Sequence, residues 1–334
     1  MLRWLGLIAT VVRVVATTLF DRLQGRRRHP LWDFSMELTH RLMARVVRFS
    51  YTDLRMVRQL TMVGSASPPM RSRVLTRRVV VGGVPSEVHL PRNARGPTLL
   101  YFHGGGYAVC GPRTHRDLAA RLAWSAGCRV VVPDYRKAPE DPFPAAVDDA
   151  LAVCAALRAD GVEELWLGGD SAGGGLAACT LLALRDRGLP MVDGAVLMSP
   201  WVDLTDDGHA PQLEEPDDYI SPAVLAEFAR HYVGETDPAD PRVSPIRADL
   251  SGLPPTLVVL GGAETMRDQG ERFVARAQAA GSPVVLDVAE GMVHVYAAFA
   301  MVSAVGRAAI RRMGAFVRGT VERAGPIRSS GTFP

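Results

Sequence analysis

Ser171 stands in Gly169-Asp170-Ser171-Ala172-Gly173, immediately after an apolar run at 165–167 and ahead of a helix-like stretch at 174–184. Small residues on both sides permit a sharp, strained strand-to-helix turn, which lifts a hydroxyl clear of a sheet and offers it to a carbonyl carbon. A glycine-rich helix start with a capping serine is the plainer alternative, and the strand expected just before the motif weighs against it. His103-Gly104-Gly105-Gly106-Tyr107 closes another apolar run, 98–102. Three successive glycines leave amide N–H groups unshielded and able to point at a developing oxyanion, where one lost donor costs on the order of 10²–10³ in rate. A tight turn or a phosphate loop would use the same glycines, but neither explains the companion serine turn.

A serine nucleophile needs a base, and with this kind of turn the chain order is serine, acid, histidine. Behind Ser171 stand His209, His231 and His294. His294, in Gly291-Met292-Val293-His294, follows the last expected strand, where a glycine loop can aim the ring back across a sheet. His209 and His231 fall in an acidic stretch read as irregular, with no strand to place an acid ahead of them. For the acid, the run 257–260 leads into Gly261-Gly262-Ala263-Glu264-Thr265-Met266-Arg267-Asp268. Glu264 comes directly after the strand end and is the first choice. Asp268, a turn further on and suited to capping or pairing in the next helix, is the second. Either carboxylate would fix the tautomer of His294 and stabilise its charged form.

These residues require a frame. Apolar runs at 79–81 and 87–90 around Gly82-Gly83 read as a hairpin, and runs at 98–102, 129–132, 165–167, 195–198, 257–260 and 284–288 read as strands, mostly with helical stretches between them. Strands alternating with helices predict an α/β fold: a mostly parallel central sheet covered by helices on both faces, with reactive groups at the carboxyl ends of strands. Gly173-x-Gly175-x-x-Ala178 with Asp193 imitates a dinucleotide fingerprint. It fails on position, because Ser171 occupies the turn that the first glycine should make and Asp193 precedes a strand instead of closing one. No cofactor is expected, and the eight histidines and four cysteines form no ligand pattern for a metal. Cys110, Cys128, Cys154 and Cys179 are scattered without a C-x-x-C pair, as free thiols in a reducing compartment would be.

The 334 residues, 48% hydrophobic and 22% charged, describe a globular chain with a net charge of only +3. The charge is unevenly spread: residues 1–78 carry 15 Arg against 4 acids, about +11, and the remainder about −8. A basic accessory segment facing an anionic membrane is the simplest partner for this split; nucleic acid is not expected, since no binding motif or aromatic–basic interleaving is present. Arg13 interrupts the apolar opening 1–20, which disfavours both a secretory signal and a spanning helix, and a surface-lying or cap-forming helix meets neither objection. Helical spacing of Leu31, Phe34, Leu38, Leu42 and Val46 continues the segment until the break at 65–69. The expected division is a basic helical cap or membrane-surface segment at 1–75, a main domain at 76–320 and a flexible tail at 321–334. The expected location is cytoplasmic, with peripheral membrane contact through residues 1–28.

Together the stretches 103–107, Asp134-Tyr135-Arg136-Lys137-Ala138-Pro139-Glu140 with Phe143-Pro144-Ala145, 169–175, Ser199-Pro200-Trp201-Val202-Asp203-Leu204, Gly252-Leu253-Pro254-Pro255 and 291–294 resemble the hormone-sensitive-lipase-like branch of the α/β-hydrolases. That branch includes bacterial carboxylesterases and arylacetamide deacetylases, and the likeness covers roughly residues 80–315. It implies an α/β-hydrolase fold with a helical cap and a hydrolase acting on short- to medium-chain carboxylic esters through Ser171, His294 and an acid. Lactonase or amide deacetylase activity would use the same triad, and a catalytically silent ligand receptor on the same fold is the non-enzyme alternative. The resemblance implies Gly105, Gly106 and Ala172 as oxyanion donors and His103 as a brace for the glycine loop. Asp is usual at the acid position, so Glu264 is a departure shared by only some members, which keeps Asp268 in play. The cap would combine 1–75 with about 201–250, making Trp32, Phe34, Trp201, Tyr219 and Phe228 candidates for an acyl pocket or for plain core packing.

Overall fold

The computed structural model describes residues 2–49, 54–63, 70, 72–205 and 218–319. Three helices open the chain, α1 (Leu2–Leu23), α2 (Phe34–Phe49) and α3 (Leu54–Val63), followed by the hairpin β1 (Val74–Val81) and β2 (Val84–Pro91). Then come β3 (Thr98–Phe102), α4 (Arg116–Ala126), β4 (Arg129–Pro133), α5 (Ala145–Ala159), β5 (Leu165–Asp170), α6 (Ala172–Asp186) and β6 (Gly194–Met198). The chain continues through α7 (Pro222–Val233), β7 (Thr256–Gly261), α8 (Arg267–Ala279), β8 (Val284–Ala289) and α9 (Ala304–Val317). The eight strands form one sheet in the order β1-β2-β4-β3-β5-β6-β7-β8. Only β2 runs antiparallel to its neighbours, and the pairs from β4 to β8 are parallel.

Each central strand is buried along its whole length, so alternate side chains serve two cores. Leu100, Phe102, Leu167, Leu197 and Val258 face the side covered by α5, α6 and α8. Leu99, Tyr101, Trp166, Val196 and Val259 face α4 and α9. Burial on both faces produces the unbroken Val/Leu runs read from the sequence, since no position needs to be polar. The outer hairpin is longer than its apolar residues suggest. Cross-strand pairing from Val74↔Pro91 to Val81↔Val84 carries Thr76, Arg77 and Arg78 along with it. Consequently the sheet begins at Val74, inside the segment expected to lie before it.

The accessory helices are fixed by polar ties. Arg22 Nη1 donates to Glu37 Oε2 at 3.0 Å and to the Trp32 carbonyl at 3.2 Å, while Arg41 joins Glu37 to Asp21. Glu37 is fully buried, so these two guanidinium groups compensate its desolvation. One face of α1 is covered, with Val14 and Thr18 buried. The acidic stretch read as irregular contains α7, which places His231 on a helix, where Nε2 lies 3.1 Å from Glu227. His209, the break at 65–69 and the tail at 321–334 lie outside the described residues. Among the described residues no helix is long and apolar enough to cross a membrane.

Candidate active site

Ser171 lies between β5 and α6 with φ 55° and ψ −124°, a left-handed region that a non-glycine residue occupies only under local compulsion. The compulsion is visible. The Ser171 amide donates to the Met198 carbonyl at the end of β6, and the Ser171 carbonyl accepts from the amides of Trp201 and Gly175. Gly173 lets the first turn of α6 abut β3, because a Cβ there would overlap the Phe102 carbonyl oxygen. This packing accounts for the glycines that imitate a dinucleotide fingerprint. Asp193, the other half of that imitation, accepts from the Leu165 amide through Oδ2 and donates its own amide to the Leu165 carbonyl, tying the approach to β6 to the start of β5.

The glycine loop leaves β3 beside this turn. Gly105 and Gly106 have φ of 118° and 59°, and their amides donate to no backbone carbonyl among the described residues. Ala172 is the first residue of α6, so its N–H belongs to the group that a helix cannot satisfy internally. His103 is fully buried; Nδ1 donates to the Gly104 carbonyl at 2.8 Å and the ring stacks on Tyr135 at 4.3 Å. Burial, with Lys137 and His115 nearby, holds its pKa well below the usual histidine value. It is a neutral brace. Asp170 is also held in place, accepting from the Tyr101 hydroxyl at 2.9 Å with His115 Nε2 at 3.3 Å.

His294 and Glu264 arrive on two loops joined to each other. The Ala263 amide donates to the Met292 carbonyl and the Gly262 amide to that of Ala289. His294 Nδ1 lies 3.2 Å from Glu264 Oε2, with both residues buried. The other ring nitrogen, Nε2, is buried and has no hydrogen-bond partner among the described residues. Asp268 is elsewhere engaged, pairing with Arg272 one turn along α8 at 2.7 Å with its side chain exposed. Burial pushes the Glu264 carboxyl up, against the hydrogen bond and charge of His294 and the Ser199 hydroxyl. Burial pulls the His294 imidazole down, but Glu264, Asp218 and Asp170 outweigh it and hold the pKa above the usual histidine value.

The loop after β6 connects the serine and histidine sides. Ser199, with φ 45°, donates its amide to the Val259 carbonyl and accepts from the Val295 amide through Oγ at 3.0 Å. Neither Ser199 nor Asp218 was identified as a site residue from sequence. Ser199 had a faint signal, a Ser-Pro-Trp run after a strand; Asp218, one acid among several before α7, had none. Of the candidate pocket aromatics, Trp32 and Trp201 are core residues. The Trp32 indole donates to the Gly291 carbonyl and that of Trp201 to the Asp203 carbonyl. Phe228 of α7 lies against Gly106, Tyr219 donates its hydroxyl to the His294 carbonyl, and Phe34 is half-buried. Among the described residues no cluster of His, Cys, Asp and Glu is arranged to hold a metal ion.

Comparison with known proteins gives a consistent picture. Residues 99–298 match the family described as the alpha/beta hydrolase fold. An acetyl-hydrolase of Streptomyces hygroscopicus is 41% identical over 243 residues, 72% of this chain and 81% of the relative. An esterase of Acinetobacter venetianus is 34% identical over 228 residues, 67% of this chain and 75% of the relative. Among solved structures, an esterase from the bacterial hormone-sensitive lipase family superposes with a TM-score of 0.76 at 38% identity, covering 84% of this chain and 98% of that one.

Proposed function

This chain belongs to the α/β-hydrolase fold family, in its hormone-sensitive-lipase-like branch, and is a carboxylic ester hydrolase; on that footing we propose that Ser171, His294 and Glu264 carry the reaction. His294 Nε2 takes the Ser171 proton as Oγ attacks the ester carbonyl carbon. The tetrahedral oxyanion rests on the amides of Gly105, Gly106 and Ala172, and the imidazolium, held by Glu264, protonates the departing alcohol. Water then attacks the acyl-enzyme by the same path and releases the acid. The observation that carries the assignment is the Glu264–His294 pair, whose other ring nitrogen is left for a serine. Ser171→Ala is expected to abolish hydrolysis of p-nitrophenyl butyrate while thermal unfolding stays near wild type, and retained turnover would end the assignment.

We assign short- to medium-chain acyl esters as substrates, a reading supported by the name of the acetyl-hydrolase relative. In this reading helices α1 to α3, with the stretch around α7, form the cap over a catalytic domain that begins at β1 with Val74. A cytoplasmic enzyme held peripherally at a membrane through residues 1–28 fits four unpaired thiols and a face of α1 that leaves Val12, Leu19, Phe20 and Leu23 exposed.

A further inference from the structure

Asp218 stands within the cap stretch, just before α7, and reaches both loops that bring the acid and base together. Its Oδ2 accepts from the amide of Thr265, the neighbour of Glu264, at 3.0 Å. Its Oδ1 accepts from the amide of His294 itself at 3.2 Å and from that of Tyr219 at 2.8 Å. The next two residues add ties to the same loops. Tyr219 donates its hydroxyl to the His294 carbonyl at 2.8 Å, and the Thr265 hydroxyl donates to the Ile220 carbonyl at 2.6 Å. Thus His294 is bonded to this short segment at both its amide and its carbonyl, and the acid loop at both the amide and the side chain of Thr265.

We propose that Asp218 is a positioning residue, a carboxylate supplied by the cap that fixes the backbones of the acid and base loops and places a second negative charge beside His294. The proposal rests on the reading of His294 as the base. A single carboxylate suits this place because it offers acceptors on both oxygens, whereas both loops present N–H donors. An amide of the same shape would turn an NH₂ group toward one of those donors and lose that bond. The cap is therefore part of the catalytic constellation and more than a cover, because the loop holding His294 is completed by residues 75 and 76 positions earlier in the chain.

The charges facing His294 come from three other elements. Glu264 approaches from the loop after β7, Asp170 from the end of β5, and Asp218 from the cap. Tyr219 lies edge-on to the ring, His40 of α2 is edge-on to Tyr219, and His29 packs at Gly291. Asp218 favours the imidazolium, so its neutralisation lowers the pKa of His294. The base must be neutral to act, hence the acid limb of kcat/KM moves to lower pH.

The experiment is the pH dependence of p-nitrophenyl butyrate hydrolysis by full-length wild type and Asp218→Asn. The expected result is a kcat lower by roughly tenfold, the effect of one charge-assisted bond lost from a preorganised site, with KM little changed and the acid limb displaced toward lower pH. A merely structural Asp218 would lower kcat without moving the limb, and a stationary limb overturns the proposal. Should Asp218→Asn fail to fold, Tyr219→Phe cuts the neighbouring tie while keeping the charge. It must then lower kcat with the limb unmoved, and an unchanged kcat overturns the proposal. His294→Ala separates the two levels: its retained turnover removes the base reading and this proposal with it, whereas lost turnover beside a stationary limb in Asp218→Asn rejects the positioning role alone.

Discussion

Glu264 and Asp268 lie four residues apart on the same connection, and their surroundings assign them different chemistry. Glu264 is fully buried against His294 Nδ1, whereas Asp268 is exposed and pairs with Arg272. Removing the carboxylate of Glu264 leaves an imidazole free to take the wrong tautomer and an imidazolium without its counter-charge. Glu264→Ala is therefore expected to lower kcat by roughly 10³–10⁴. Asp268→Ala removes a surface pair and should leave kcat within about twofold. Steady-state rates on p-nitrophenyl butyrate decide between them, and the reverse ranking would transfer the role to Asp268. The local motifs around Ser171, His103 and His294 were legible in the sequence because each is a turn whose glycines must sit next to the reactive group. Asp218 was not legible, since what defines it is a pair of backbone donors 47 and 76 residues away, and neither spacing nor periodicity records such a contact.

The elements themselves were read where burial dictates composition. Strands β3 to β8 are apolar because helices cover both faces, and that signal survives without any knowledge of partners. The ends of β1 and β2 were missed because partner pairing, and not side-chain type, extends them. Helix α7 was missed although its buried residues Val224, Leu225, Phe228, Ala229 and Tyr232 recur at helical spacing, because the acidic residues ahead of it set the character of the stretch; the stripe packs against the glycine loop. That contact has a consequence. Tyr232 stacks on Tyr107 at 3.6 Å between ring centroids, and the Phe228 ring fills the space where a Gly106 side chain would stand, with its Cγ 2.6 Å from an ideal Cβ. Gly106→Ala must therefore displace α7 while straining a backbone at φ 59°. Because the amide of Gly106 is a proposed oxyanion donor, the expected loss is about 10²–10³ in kcat with a smaller effect on KM. A variant with wild-type kcat would remove Gly106 from the oxyanion hole.

Across the whole molecule, charge and hydrophobicity are segregated in the same direction. The N-terminal quarter holds the arginine excess, and the exposed face of α1 carries Val12, Leu19, Phe20 and Leu23, with Leu31 nearby. Residues 12, 19 and 23 lie along one side of the helix, opposite the buried Val14 and Thr18, so α1 has one apolar face packed in the cap and another turned outward. Arg13, Arg26 and Arg27 are exposed beside that second face. The proposed membrane contact would set this apolar strip, bordered by guanidinium groups, at the headgroup boundary of an anionic bilayer, where a basic residue contributes about 1 kcal/mol. Replacing Leu19 and Leu23 by Glu in the full chain removes apolar area and adds repulsion without touching the cap contacts of Arg22 and Trp32. Wild type is expected to co-sediment with vesicles containing phosphatidylglycerol, less with pure phosphatidylcholine, and to be released by salt as screening sets in. The double variant should stay in the supernatant while hydrolysing p-nitrophenyl butyrate at the wild-type rate. Equal binding by the two proteins would show that this face of α1 does not meet the bilayer.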